Sequence, residues 1–112
     1  MIYEMRTYSF LPTDLPKYLK HAEEVGRPVR GNDYGVNCGY WTSEFGRLNQ
    51  VWHLWRYDSY AQREALRAKL SQNSDWTDKY VAVIKEWVKR QDIRILNPHS
   101  EFAPPEVDGN IY

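Results

Sequence analysis

Residues 49–57 carry Val51, Trp52, His53, Leu54, Trp55 and Tyr57 within one short run. β-branched and aromatic types at this density read as a strand. Side chains alternate across a strand, so Trp52 and Leu54 share one face while Val51, His53, Trp55 and Tyr57 share the other. Rings on both sides mean that both faces of the sheet need cover. A single layer of helices covers only one of them. The second face must then be buried by something else.

The flanking segments supply the rest of a small fold. Residues 2–8 alternate and predict a first strand. Thr13 or Asp14 can cap a helix, and Pro16 fits its first turn. Tyr18, Leu19, Ala22 and Val25 recur at helical spacing, and Gly26 and Pro28 predict the stop. Residues 31–35 are rich in turn formers. Residues 37–45 predict a second strand, joined to the third through Gly46, Arg47 and Leu48 as a hairpin. Asp58 or Ser59 can cap a second helix through Leu66 and Leu70. Asn73, Ser74 and Asp75 interrupt it, with Ser74 or Asp75 as the new cap. A further helix then carries Trp76, Tyr80, Val83 or Ile84, and Trp87 on one side. Residues 91–96 predict a last strand. The order β-α-β-β-α-β defines an α+β, ferredoxin-like fold with an antiparallel sheet. The chain divides into a domain at 1–96 and an extended arm at 97–112, which contains Pro98, Pro104 and Pro105.

Charge removes several function classes. Lys and Arg number 15, as do Asp and Glu, so no basic excess favours nucleic acid or anionic lipid. Cys38 is the only cysteine, which rules out an internal disulfide and gives no sign of an oxidising compartment. No apolar run reaches membrane-spanning length, and the N-terminal segment lacks the pattern of a signal peptide. A cytoplasmic location without membrane partners is the expectation. There is no glycine-rich phosphate loop and no nucleophile elbow, so no cofactor is expected. His21 and Glu24 have a spacing two metal ligands could use, but nothing supplies the others, so no metal site is expected.

Aromatics make up 15% of the chain, with five Trp and nine Tyr. One small core holds too little volume for so many rings, and interfaces and ligand pockets also concentrate them. Assigning the more apolar face to the helices gives them Tyr3, Met5, Trp52, Leu54, Ile93 and Ile95. The other face then carries Glu4, Arg6, Tyr8, His53, Trp55, Tyr57, Asp92 and Arg94. If Phe45 lies opposite Asn49, Trp41 falls opposite His53 on that same face. A polar yet aromatic face suits a cavity enclosed by a second copy of the chain. A homodimer or larger homo-oligomer is therefore expected.

Three segments also carry a family resemblance. Tyr3-Glu4-Met5-Arg6-Thr7-Tyr8, the long stretch from Gly39 to Tyr57, and the closing Ile95-Leu96-Asn97-Pro98 are similar to the NIPSNAP family. The resemblance implies a dimeric α/β barrel in which two sheets pack face to face. It implies kinship with cofactor-independent monooxygenases, decarboxylases, isomerases and heme-handling proteins, within a branch that has no established reaction. Some animal members of the family are mitochondrial and are tied to vesicle transport and autophagy receptors. This chain is expected to lack their N-terminal extension, so those partners are not carried over.

The candidate chemistry follows from the polar face. His53 could move a proton near neutral pH, or could simply be hydrogen-bonded at a dimer seam. Glu4 could accept a proton while Arg6 holds a carboxylate, or the two could form a structural ion pair. Arg94 could add a second cation. Tyr8, Trp41, Trp55 and Tyr57 could wall a pocket for a flat ligand, or could be core. Heme ligation by His53 rests on analogy of fold alone. Two function classes remain: a small-molecule enzyme using a barrel cavity without a nucleotide, and a non-catalytic binding or adaptor module.

Overall fold

The computed structural model describes residues 1–99, and most of the expected arm lies outside the described residues. β1 (Ile2–Ser9), β2 (Val36–Thr42), β3 (Gln50–Tyr57) and β4 (Arg90–Leu96) form one antiparallel sheet in the order β2-β3-β1-β4. Three helical stretches cover it: α1 (residues 15–30), α2 (Tyr60–Leu70) and α3 (residues 74–84). This is the expected α+β, ferredoxin-like arrangement. No described helix is long and apolar enough to cross a membrane.

The helix ends show where local signals hold. Ser59 caps α2, its Oγ accepting from the Gln62 N–H at 3.0 Å. The break after Leu70 falls where expected, but Asn73 makes the new cap in place of Ser74 or Asp75. Its Oδ1 accepts from the Asp75 N–H at 3.0 Å and the Trp76 N–H at 3.3 Å.

The first helix, in contrast, does not stop at Gly26. A π-helical turn over Ala22–Gly26 shifts the hydrogen bonding, so that the Arg27 N–H reaches back to the Ala22 carbonyl. Pro28 then falls in the first turn of a new α segment, where its missing N–H is tolerated. The helix runs on to Arg30 and ends at Gly31, whose φ is 50°. Gly26 serves packing instead: a Cβ there would lie 2.5 Å from the Tyr80 ring, so glycine lets α1 and α3 meet.

The hairpin register differs by one residue from the expected one. Trp41 pairs with Trp52, and Tyr40 pairs with His53. The connection covers residues 43–49, with Gly46 and Asn49 both at positive φ, and is longer than the turn inferred from Gly46, Arg47 and Leu48. A one-residue slip moves every side chain of a strand to the other face. Trp41 is accordingly on the opposite side from His53, half exposed.

The larger correction concerns which face the helices cover. Tyr8 and Val51 pack with Tyr18, Tyr80 and Ile84, while Ile2, Trp55 and Tyr57 pack with Leu66. Helices therefore lie on the face of Glu4, Arg6, Tyr8, His53, Trp55 and Tyr57, the face assigned above to a partner chain. β4 is reversed relative to that set. Ile93 and Ile95 pair with Arg6 and Glu4 on the helix side, whereas Asp92 and Arg94 pair with Thr7 and Met5 on the open side. Met5, Trp52 and Leu54 also lie on the open side, all half-buried. The physical reason lies in the helices. Their inward residues include Tyr18, Tyr80, Arg30 and Arg63, which bond to polar groups, so the polar-aromatic face becomes the better match for burial.

Candidate functional site

A cavity of about 430 Å³ lies between the sheet and the helices. That is within the roughly 300–1,000 Å³ of small-molecule sites. Arg6, Tyr8, Tyr40, His53 and Trp55 form its floor, and Tyr18, Arg30, Arg67, Trp76 and Tyr80 stand in its walls. The two π-helical turns, Ala22–Gly26 and Thr77–Val81, both contribute lining residues. Such turns recur at functional sites because they displace backbone from regular packing.

His53 sits at the middle of β3 with its ring stacked on Tyr40, centroids 4.7 Å apart. The Trp55 indole Nε1–H donates to His53 Nδ1 at 2.7 Å. An indole is only a donor, so Nδ1 must accept and the proton of the neutral ring is assigned to Nε2. His53 Nε2 is buried and has no partner among the described residues. Burial, followed by the charges of Arg6 and Arg30, holds the imidazole pKa well below its usual value. The ring is therefore a neutral N–H donor at physiological pH.

Arg30 ends α1 and is almost fully buried. Its guanidinium lies 3.6 Å above the Trp55 ring. One Nη donates to the Tyr57 hydroxyl at 3.0 Å and to the Tyr34 carbonyl at 3.3 Å. Its Nε is buried without a partner among the described residues. Burial lowers its pKa; Tyr57 opposes that, and Arg67 adds to the lowering.

Glu4 is fully buried behind this floor. Arg6 approaches it at 3.4 Å and Arg63 at 2.5 Å. Arg6 also donates to the Tyr8 hydroxyl at 3.0 Å. Burial works to lower the Arg6 pKa, but Tyr8 and Glu4 outweigh it and the net shift is upward. Above the cavity, the Tyr80 hydroxyl donates to that of Tyr18 at 3.2 Å, and Tyr18 in turn shares a hydrogen bond with Tyr40. Burial raises the pKa of both Tyr18 and Tyr80, which keeps their protons on at neutral pH.

Of the residues singled out from the sequence, Arg6, Tyr8, His53 and Trp55 meet in the cavity. Glu4 and Tyr57 stand one contact behind it, on Arg6 and Arg30. Trp41 and Arg94 lie on the open face and outside the cavity, for the register reasons given above. Arg30, Arg67, Tyr18, Tyr40, Trp76 and Tyr80 were missed as a set. One signal was available: Tyr18, Ala22, Gly26 and Arg30 recur every four residues, which puts Arg30 on the buried stripe once the helix passes Gly26. No group of three His, Cys, Asp or Glu among the described residues stands close enough to hold a metal.

An antiparallel sheet with helices on one side and a cavity beneath them defines a ferredoxin-like α+β domain. The sequence profile of the NIPSNAP family matches residues 3–104, and the chain belongs to that family. It is 30% identical to protein NipSnap homolog 3B of Mus musculus over 96% of its own length and 44% of that protein's, so it spans less than half of this relative. Among solved structures it is similar to an uncharacterized NIPSNAP domain protein from Burkholderia xenovorans, with 31% identity and a TM-score of 0.86, covering 94% of this chain and 100% of that one. Two distant structures share the fold alone. One is a dimeric ferredoxin-like protein from an uncultured marine organism, with 16% identity and a TM-score of 0.67, covering 93% of this chain and 92% of that one. The other is an antibiotic biosynthesis monooxygenase, with 10% identity and a TM-score of 0.61, covering 88% and 99% respectively.

Proposed function

We propose that this NIPSNAP protein binds a small molecule in the cavity between sheet and helices, and acts on it without a nucleotide cofactor. The single observation that carries this reading is the buried, unpartnered His53 Nε2 in the cavity floor. Leaving a buried donor unmet costs about 1–3 kcal/mol, a cost a ligand acceptor would remove. A neutral imidazole N–H in a dry site stabilises negative charge that develops on a substrate oxygen. That is a step shared by monooxygenase-, decarboxylase- and isomerase-type chemistry on carbonyl compounds. Native mass spectrometry of freshly purified protein tests it. A co-purifying small molecule in the wild type, lost in His53→Ala, is the expected result, and a clean apo mass in both would count against it.

A second reading, a non-catalytic binding or adaptor module, is favoured by one specific feature. No carboxylate in the cavity lining is free to act as a base: Glu23 pairs with Arg27 at 3.0 Å, and Glu4 is clamped behind the floor. In both readings we infer a homodimer that buries the open sheet face. Met5, Trp41, Trp52 and Leu54 stand there outside the helix-side clusters, and a structure sharing the fold is described as dimeric.

A further inference from the structure

We propose that the cavity selects a planar organic anion, an aromatic or conjugated carboxylate, which meets Arg30 and the His53 Nε2–H; this rests on the reading of the cavity as the ligand site. Three independent features of the lining agree. The first is the type of polar group left unsatisfied. His53 Nε2 and Arg30 Nε both belong to cavity residues, both are buried, and both are donors. A carboxylate offers acceptors only, and so answers donors without bringing a proton that needs an acceptor of its own.

The second feature is charge. Arg6, Arg27, Arg30 and Arg67 line the cavity, against one lining carboxylate, Glu23. Glu4 answers Arg6, and Glu23 answers Arg27. Arg30 and Arg67 have no carboxylate within ion-pair distance among the described residues. The site therefore carries unneutralised positive charge in a partly dry setting, where an anion is attracted more strongly than in water. An ammonium ligand would meet repulsion there.

The third feature is shape. The lining is built from flat groups in layers, with Arg30 of the wall over Trp55 of the floor and Tyr40 stacked on His53. Trp76 and Tyr80 pack against each other in the wall, tilted by 32° with centroids 4.5 Å apart. Rings favour offset or edge contact with a further ring, so a planar body continues the stack.

Isothermal titration with three probes of one shape separates the claims: 2-naphthoate (anion), 2-naphthamide (neutral) and 2-naphthylmethylammonium (cation). The expected order is naphthoate at least tenfold tighter than the amide, with the ammonium weakest. Arg30→Gln should bring naphthoate and naphthamide to within about twofold. Arg67→Gln, at a half-exposed position that leaves no buried group unpaired, should narrow the same ratio and keeps the test open if Arg30→Gln does not fold. Equal binding of acid and amide by the wild type overturns the anion inference while the cavity reading stands. An acid preference unchanged in the variants overturns the assignment to these arginines. Binding by none of the three overturns the cavity reading, and the anion inference falls with it.

Discussion

At the residue scale, His53 shows how burial rewrites a side chain's chemistry. A histidine on a strand suggests a proton carrier, but desolvation beside Arg6 and Arg30 keeps this one neutral. The depressed pKa has a consequence for stability. The unfolded chain binds a proton at His53 below about pH 6.5, whereas the folded chain does not until the pH reaches its lower folded value. Stability from this group is thus complete above about pH 6.5 and is lost as pH falls from there toward the folded pKa. The slope is about 1.4 kcal/mol per pH unit. Wild type and His53→Gln should be compared by urea denaturation from pH 7.5 to 5. The wild type should lose stability relative to the variant on acidification. Parallel curves would mean that His53 titrates in the folded protein as it does in the unfolded chain.

At the element scale, the close approach of α1 and α3 is set by one glycine and one ring. Gly26 and Tyr80 lie in the two π-helical turns, and both line the cavity. Gly26→Ala should cost roughly 1–3 kcal/mol, the range for overpacking a tight contact. Adding Tyr80→Leu should return much of that loss, because the clash is with the ring. Gly31→Ala provides the contrast. Nothing lies within 4 Å of its added Cβ, so its loss comes from positive φ alone and Tyr80→Leu should not relieve it. Thermal melts of the two double variants decide the matter. Equal rescue of both, or of neither, would remove the packing account of Gly26.

At the scale of the whole molecule, the open sheet face is where a second copy is expected. Leu54 lies near its centre, between Met5 of β1 and Gly39 of β2. Leu54→Glu would place a charge in the interface without an assured partner, costing several kcal/mol by order of magnitude. Sedimentation velocity at micromolar concentration should show dimer for the wild type and monomer for the variant. Trp55, by contrast, lies on the helix side, so a charge there would disturb the cavity and core. If Leu54→Glu stays dimeric, the open face is not the interface.

The element order, most strand positions, the Ser59 cap and the break after Leu70 were legible in the sequence because each rests on short-range preferences. Alternation likewise assigned Glu4, Arg6, Tyr8, His53, Trp55 and Tyr57 to one face, which is how they lie. Alternation has no sign, however: it groups residues without saying which group meets the helices. That choice depended on Arg63 reaching Glu4 and on Tyr18 and Tyr80 satisfying one another, contacts between elements far apart in the chain. The same holds for Trp41 and Arg94, whose faces were set by strand register, and for Arg30, which entered the site only because a π turn carried α1 past Gly26 and Pro28. Local preference fixed what each segment is, and long-range pairing of polar groups decided which face became the floor of a cavity.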